Sequence, residues 1–148
     1  RYFAGDVEKV AAFMMKGEGR ITYSNAQILL YFKNGMIGHL VGSYDAGMSY
    51  GLEQCEVVGS KGRFVLEEAC ERLTFYPRNS IETETYTYLG GMRSFNETFK
   101  SRINDWIDQL EAGVKYDEVN GSGADALKAQ RLIEAAIESF QTGKIVEL

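Results

Sequence analysis

The chain has 148 residues, enough for one domain of ordinary size whose core needs no disulfide or metal staple. Its 45% hydrophobic and 25% charged residues exclude a disordered or collagen-like chain. A net charge of −5 with scattered basic residues argues against nucleic-acid binding. The longest apolar runs, such as residues 28–32, are too short for a membrane helix. No secretory signal opens the sequence, so a cytoplasmic location is expected. The two cysteines, Cys55 and Cys70, form no C-x-x-C pair, which argues against a disulfide framework or a structural zinc.

The sequence opens on Arg1 rather than Met, and residues 1–6 read like a last helical turn followed by a glycine stop. The expectation is a fragment of a longer chain. From residue 7 to about residue 89 the hydrophobic period is 2, the period of strands. Residues 7–15 form an apolar run. In residues 24–32, Ala26, Ile28, Leu30 and Phe32 alternate against Gln27, Leu29 and Tyr31. Asn34-Gly35 follows as a type I′ hairpin signal, and residues 36–44 alternate again, with Ile37, His39 and Val41 on one face. Residues 45–51 are a loop by composition. Strands are expected at residues 52–58, 63–67, 72–76 and 81–89.

The period then changes to that of helices. Phe95, Phe99, Ile103, Trp106, Ile107 and Leu110 share one stripe, with Ser94 and Glu97 spaced as a capping box. A second helix follows Ser122 and stops at Gly143, and residues 144–148 suit a short final strand. Strands first and helices last indicate an α+β fold. The expected form is an open, predominantly antiparallel sheet of about seven strands with two C-terminal helices packed on one face.

Few residues suggest chemistry on their own. His39 is the only histidine, and a hydrolase would have to run through it; a structural or incidental role fits better. No metal-ligand spacing is present. Residues 121–126 fit a G-x-G-x-x-A dinucleotide fingerprint at the start of a helix. The fingerprint needs a buried apolar strand before it, and Lys115-Tyr116-Asp117-Glu118 does not provide one. A tight turn and helix cap is the better reading. The carboxylates Glu67, Glu68, Glu71, Glu82 and Glu84 read as a solvated strand edge. Tyr31, Tyr86 and Tyr88, opposite the apolar stripes, read equally as half-exposed packing or as a face that meets another subunit.

Four segments in order resemble a known family. They are residues 27–38 (strand, Asn-Gly, strand with Gly), residues 53–62 (E-V-x-G-x-x-G strand and turn), residues 95–107 (F-x-x-x-F-x-x-x-I-x-x-W-I), and residues 125–139 followed by Gly143-Lys144-Ile145-Val146. Their order and spacing resemble the C-terminal domain of the Gfo/Idh/MocA oxidoreductases, over essentially the whole chain. The resemblance implies a parent enzyme that is an NAD- or NADP-dependent oxidoreductase of a sugar or polyol. Its Rossmann domain, Glu-Lys-Pro motif and Asp/His motif would all precede Arg1. It implies that the 148 residues are one substrate and oligomerisation domain, without catalytic, cofactor or metal residues of their own. Tyr44, Asp45, Met48 and Tyr50, in the loop after the third strand, are then the candidate substrate-lining residues, with Arg93 a further one. Gln27, Leu29, Tyr31, Tyr86 and Tyr88 are the candidates for a homo-oligomer contact through the open sheet face. The alternative is a free-standing α+β ligand-binding or interaction module that merely shares the architecture.

Overall fold

The computed structural model describes residues 2–47, 53–69 and 71–148. Along the chain run β1 (Val7–Met15), β2 (Asn25–Phe32), β3 (Ile37–Ser43), β4 (Gln54–Gly59), β5 (Gly62–Glu67), β6 (Arg72–Pro77), β7 (Glu84–Thr87), α1 (Phe95–Glu111), α2 (Gly123–Thr142) and β8 (Val146–Glu147). These form two compact units, residues 1–47 with 120–148, and residues 48–119. The α+β class and the antiparallel pairing agree with the sequence reading. The strands divide into two four-stranded sheets, β3-β2-β1-β8 and β4-β5-β6-β7, rather than lying in one.

In the first unit β1 pairs antiparallel with both β2 and β8, and β2 with β3. Because side chains alternate across a strand, this register gives the sheet two distinct faces. Val10, Ala12, Ile28 and Leu30 turn to one side and α2 packs against them. Val10 is 1% exposed and Ala136 of α2 is 0% exposed. The small Ala135 and Ala136 let the helix lie close to β1. Tyr23 meets Phe140 edge-to-face at 5.3 Å, closing one end of this core.

Strand β8 is only two residues long and pairs β1 at Lys9 and Val10. Beyond it Ala12 would present an unpaired N–H to a buried environment. The Ser139 hydroxyl of α2 fills that place. It accepts from Ala12 N at 3.2 Å and donates to Lys144 O at 2.6 Å. One buried serine therefore ties β1, α2 and the turn into β8.

The β2–β3 hairpin differs from the expected type I′ turn. Gly35 has φ +83°, but Asn34 is not in the left-handed region, as type I′ requires. Phe32 N donates to Met36 O at 2.9 Å and Gly35 N to Phe32 O at 2.9 Å. This is the longer hairpin loop in which a type I turn is followed by a left-handed glycine. Asn34 fixes it by donating from Nδ2 to Ala4 O and accepting from Met36 N at Oδ1.

The second unit contains the β4–β7 meander, paired antiparallel throughout. Cys55, Leu66, Leu73 and Tyr86 form one row on its apolar face, and Val57, Phe64 and Phe75 part of the next. The opposite face is charged, with Arg63 on Glu56 at 3.2 Å and Arg72 on Glu67 at 2.7 Å. Gly62 is required where it stands. Its φ is +152°, and a Cβ there would lie 2.4 Å from Tyr76 O.

Helix α1 belongs to this second unit and α2 to the first. None of its residues is buried, and its stripe from Phe95 to Leu110 stays partly exposed. The expected capping box is only half formed. Ser94 makes no side-chain cap bond, whereas the Glu97 carboxylate accepts from Arg93 N at 2.9 Å. In α2, by contrast, Ser122 Oγ accepts from Asp125 N at 3.3 Å and Gly143 ends the helix at φ +68°. No helix among the described residues is long and apolar enough to cross a membrane.

Candidate functional site

The end of β3 is held by a polar cluster centred on Asp45. Tyr44 N donates to Ser24 O at 2.8 Å, extending the ladder beyond the strand. The Asp45 carboxylate then accepts from both sides. Arg20 donates to Oδ1 from Nε at 3.1 Å and from Nη2 at 3.0 Å. Ser24 Oγ and Asn25 Nδ2 donate to Oδ2 at 2.6 and 2.5 Å. Four donors meet about four acceptor positions, so the carboxylate is fully occupied. The same Arg20 Nη2 also donates to Tyr44 O at 3.0 Å. Ser43 Oγ donates to Asn25 Oδ1 and accepts from Asp45 N.

These bonds stabilise the ionised carboxylate. Its pKa is held below the usual aspartate range, first by the Ser24 hydroxyl, then by the Asn25 amide and the Arg20 guanidinium. Gly17 makes room for the arrangement. Its N–H donates to Ser24 Oγ at 3.0 Å, and a Cβ there would lie 2.6 Å from Asp45 Oδ2.

Of the expected substrate residues, Tyr44 and Asp45 thus stand together. Asp45 faces inward on the cluster, and Tyr44 is 84% exposed. Met48 and Tyr50 lie outside the described residues. Arg93 lies in the second unit, its guanidinium over the Tyr88 ring at 5.5 Å. The residues that position Asp45, namely Gly17, Arg20, Ser24 and Asn25, were not singled out by sequence reasoning. Only the turn-forming composition of residues 17–20 marks that stretch, and nothing local points from it to a residue 25 positions on.

The five expected assembly residues divide between the two sheets. Gln27, Leu29 and Tyr31 lie on the open face of the first sheet, away from α2. Tyr86 is on β7, and Tyr88 follows it with a left-handed φ of +53°. The open face carries further apolar side chains through its register. Phe13 lies opposite Gln27, Gln27 opposite Val41, Leu29 opposite His39 and Tyr31 opposite Ile37. The alternation of residues 36–44 contained this signal, but the cross-strand register that joins the rows did not follow from it.

No group of three potential metal ligands occurs among the described residues. The G-x-G-x-x-A segment does not fit a dinucleotide. Residues 116–121 before it form turns and a bend rather than a strand.

Comparison with known proteins accords with this arrangement. Residues 1–65 match the family model described as the GFO/IDH/MocA C-terminal domain. No curated protein matches the sequence. Among solved structures, an oxidoreductase from Agrobacterium radiobacter in complex with NAD+, L-tartaric acid and magnesium is 26% identical, with a TM-score of 0.80 over 99% of this chain and 45% of that one. A levoglucosan dehydrogenase in complex with NADH and levoglucosan is 17% identical, with a TM-score of 0.86 over 100% of this chain and 46% of that one. An aldose-aldose oxidoreductase from Caulobacter crescentus, complexed with glycerol, is 17% identical, with a TM-score of 0.76 over 97% of this chain and 42% of that one. The latter two likenesses are of fold alone, and the chain spans less than half the length of each of these structures. Its first 65 residues are thus similar to the GFO/IDH/MocA C-terminal domain, and its fold is shared over nearly its whole length with solved oxidoreductases.

Proposed function

We propose that both units together form the substrate and assembly domain of a longer, cytoplasmic NAD- or NADP-dependent oxidoreductase that acts on a sugar or polyol. The observation that carries this reading is the presentation of Tyr44. It is an exposed aromatic hydroxyl on a backbone whose N–H donates to Ser24 O and whose C=O accepts from Arg20. An aromatic face with a hydroxyl suits a sugar ring, by apolar contact and hydrogen bonding. Asp45 contributes by holding that position, since its oxygens already accept from the protein. Arg93, Met48 and Tyr50 remain candidate contacts in the same proposal. The ligands of the similar structures, levoglucosan and glycerol among them, favour a polyhydroxylated substrate. The cofactor would be held by the rest of the enzyme.

Assembly would use the open face of the first sheet, with Gln27, Leu29 and Tyr31 inside the contact and Tyr86 and Tyr88 in a second one. The test of the substrate role is Tyr44→Ala in the full-length enzyme, assayed with levoglucosan and other polyols as trial substrates. A raised KM with unchanged NADH affinity is expected. An unchanged KM for every substrate that turns over would remove Tyr44 from the pocket.

A further inference from the structure

Helix α2 carries Lys128, Arg131 and Leu132 within about one turn, at the spacing that puts them on one face. Leu132 packs against the buried core, so this face looks toward the sheet. There it meets the start of β1 and the residue that follows β2. Lys33 N donates to Asp6 O at 3.0 Å, which brings these two segments side by side. Lys128 Nζ donates to Asp6 Oδ2 at 3.2 Å and ties α2 to them. Leu148 N donates to Glu8 O at 2.9 Å and closes another side. The result is a cavity of about 170 Å³. Val7, Leu132 and Leu148 form its apolar wall, and Lys33, Lys128, Arg131 and Asp6 its polar one.

The charge on the polar wall runs against that of the whole chain. The net charge is −5, yet three cations line the cavity against the one side-chain carboxylate of Asp6. Lys128 pairs with that carboxylate. Neither the Lys33 ammonium nor the Arg131 guanidinium has an acidic partner within 4.0 Å among the described residues. Glu134, one turn beyond Arg131, accepts from Gln130 instead, at 3.4 Å. Arg20, Arg63, Arg72 and Arg102, by contrast, each pair with a carboxylate. Like charges three residues apart on a helix repel one another, so Lys128 and Arg131 do not stabilise α2 as a pair. The core contacts of α2 run through Leu132, Ala135 and Ala136 and do not require these cations. A bound anion would relieve their repulsion.

We propose that this cavity binds a phosphoryl group, either as inorganic phosphate or at the end of a small phosphate ester. The planar Arg131 guanidinium can donate two parallel hydrogen bonds to the oxygens of one anion, and the two ammonium groups add point charges. Three cations against one carboxylate match a dianion, whereas a single carboxylate ligand would leave one positive charge unmet. The volume limits the ligand further. Pockets for larger organic ligands run to roughly 300–1,000 Å³, so this one takes the phosphoryl group and little else. Its apolar wall suits the carbon next to that group in an ester. Lys33 follows the last residue of β2, whereas Asn25 begins it, so the site stands one strand length, roughly 25 Å, from the Asp45 cluster. It is independent of the substrate role given to Tyr44.

NMR titration of the isotope-labelled chain tests the proposal, with sodium phosphate and glycerol phosphate compared against sodium chloride at matched ionic strength. The expected result is a saturable shift of the Val7, Lys33, Lys128, Arg131 and Leu148 amides, with a dissociation constant on the order of 1 mM. Tighter binding of glycerol phosphate assigns the site to esters, and equal or weaker binding assigns it to the free ion; both support the proposal. Arg131→Gln and Lys33→Gln, at exposed positions, should each raise the constant at least ~10-fold and leave the rest of the spectrum in place. Arg102→Gln, whose partner is Asp105 on α1, should bind as the wild type does. Shifts that do not saturate, that chloride reproduces, or that both cavity variants keep at wild-type affinity overturn the proposal. None of these outcomes bears on Tyr44, whose test is the KM of the full-length enzyme.

Discussion

Arg20 and Asp45, 25 residues apart, are joined through both Nε and Nη2 of the guanidinium to one carboxylate oxygen. The second oxygen accepts from Ser24 and Asn25, so the connection after β1, the start of β2 and the exit of β3 converge on one side chain. An exposed ion pair alone contributes little. Here the partly buried Ser24 hydroxyl and the Asn25 amide supply the geometry, and the arginine completes it.

The pH dependence of this cluster follows from its direction of shift. The folded-state pKa of Asp45 lies below the ordinary aspartate value of about 3.9. Its contribution is therefore present in full above that value and is lost as pH falls through the lower, folded-state pKa. Glu67 behaves likewise, held down chiefly by its hydrogen bond from Arg72. Asp45→Asn should lower the denaturant midpoint at pH 7, and its deficit against the wild type should shrink below about pH 4. Urea unfolding from pH 3 to 7 measures this. A deficit independent of pH would assign the effect to shape rather than charge.

Ser139→Ala should destabilise the first unit by about 1–3 kcal/mol. The substitution strands the Ala12 N–H and the Lys144 carbonyl at once. Hydrogen exchange at the Ala12 amide should speed up in the variant. Equal exchange in both proteins would mean that another group satisfies that amide.

Gly62→Ala tests the second unit alone. The new Cβ would meet the Tyr76 carbonyl, a backbone atom that cannot rotate away, at a φ that L-residues rarely adopt. A loss of at least ~1 kcal/mol is expected by chemical denaturation. An unchanged midpoint would mean that the β5–β6 pairing relaxes at no cost.

What the sequence made legible follows from where the physical signal was local. The alternation of Ala26, Ile28, Leu30 and Phe32 marked the core side of β2, and their burial follows it. Ser122 and Gly143 marked both ends of α2. The partition into two sheets was not legible, because a strand's period of 2 names its faces but not its neighbours. Asn34-Gly35 marked a turn and pointed to type I′, which the conformation of Asn34 overturned. Asp45 was recognised as a polar loop residue beside Tyr44. Its donors were not, since Arg20 and Ser24 are brought to it by the β2–β3 register and the connection after β1. Sequence spacing alone therefore suggested a free carboxylate where the fold places an occupied one.

The central claim is that this chain is the substrate and assembly half of a longer oxidoreductase. The most direct measurement is the sequence of the encoding reading frame upstream of Arg1. The account expects a glycine-rich strand–turn–helix start, followed by a Glu-Lys-Pro segment and an Asp/His motif, all in frame with Arg1. A start codon immediately before Arg1 would contradict it. The domain would then be a free-standing module whose ligands must be sought on its own surface.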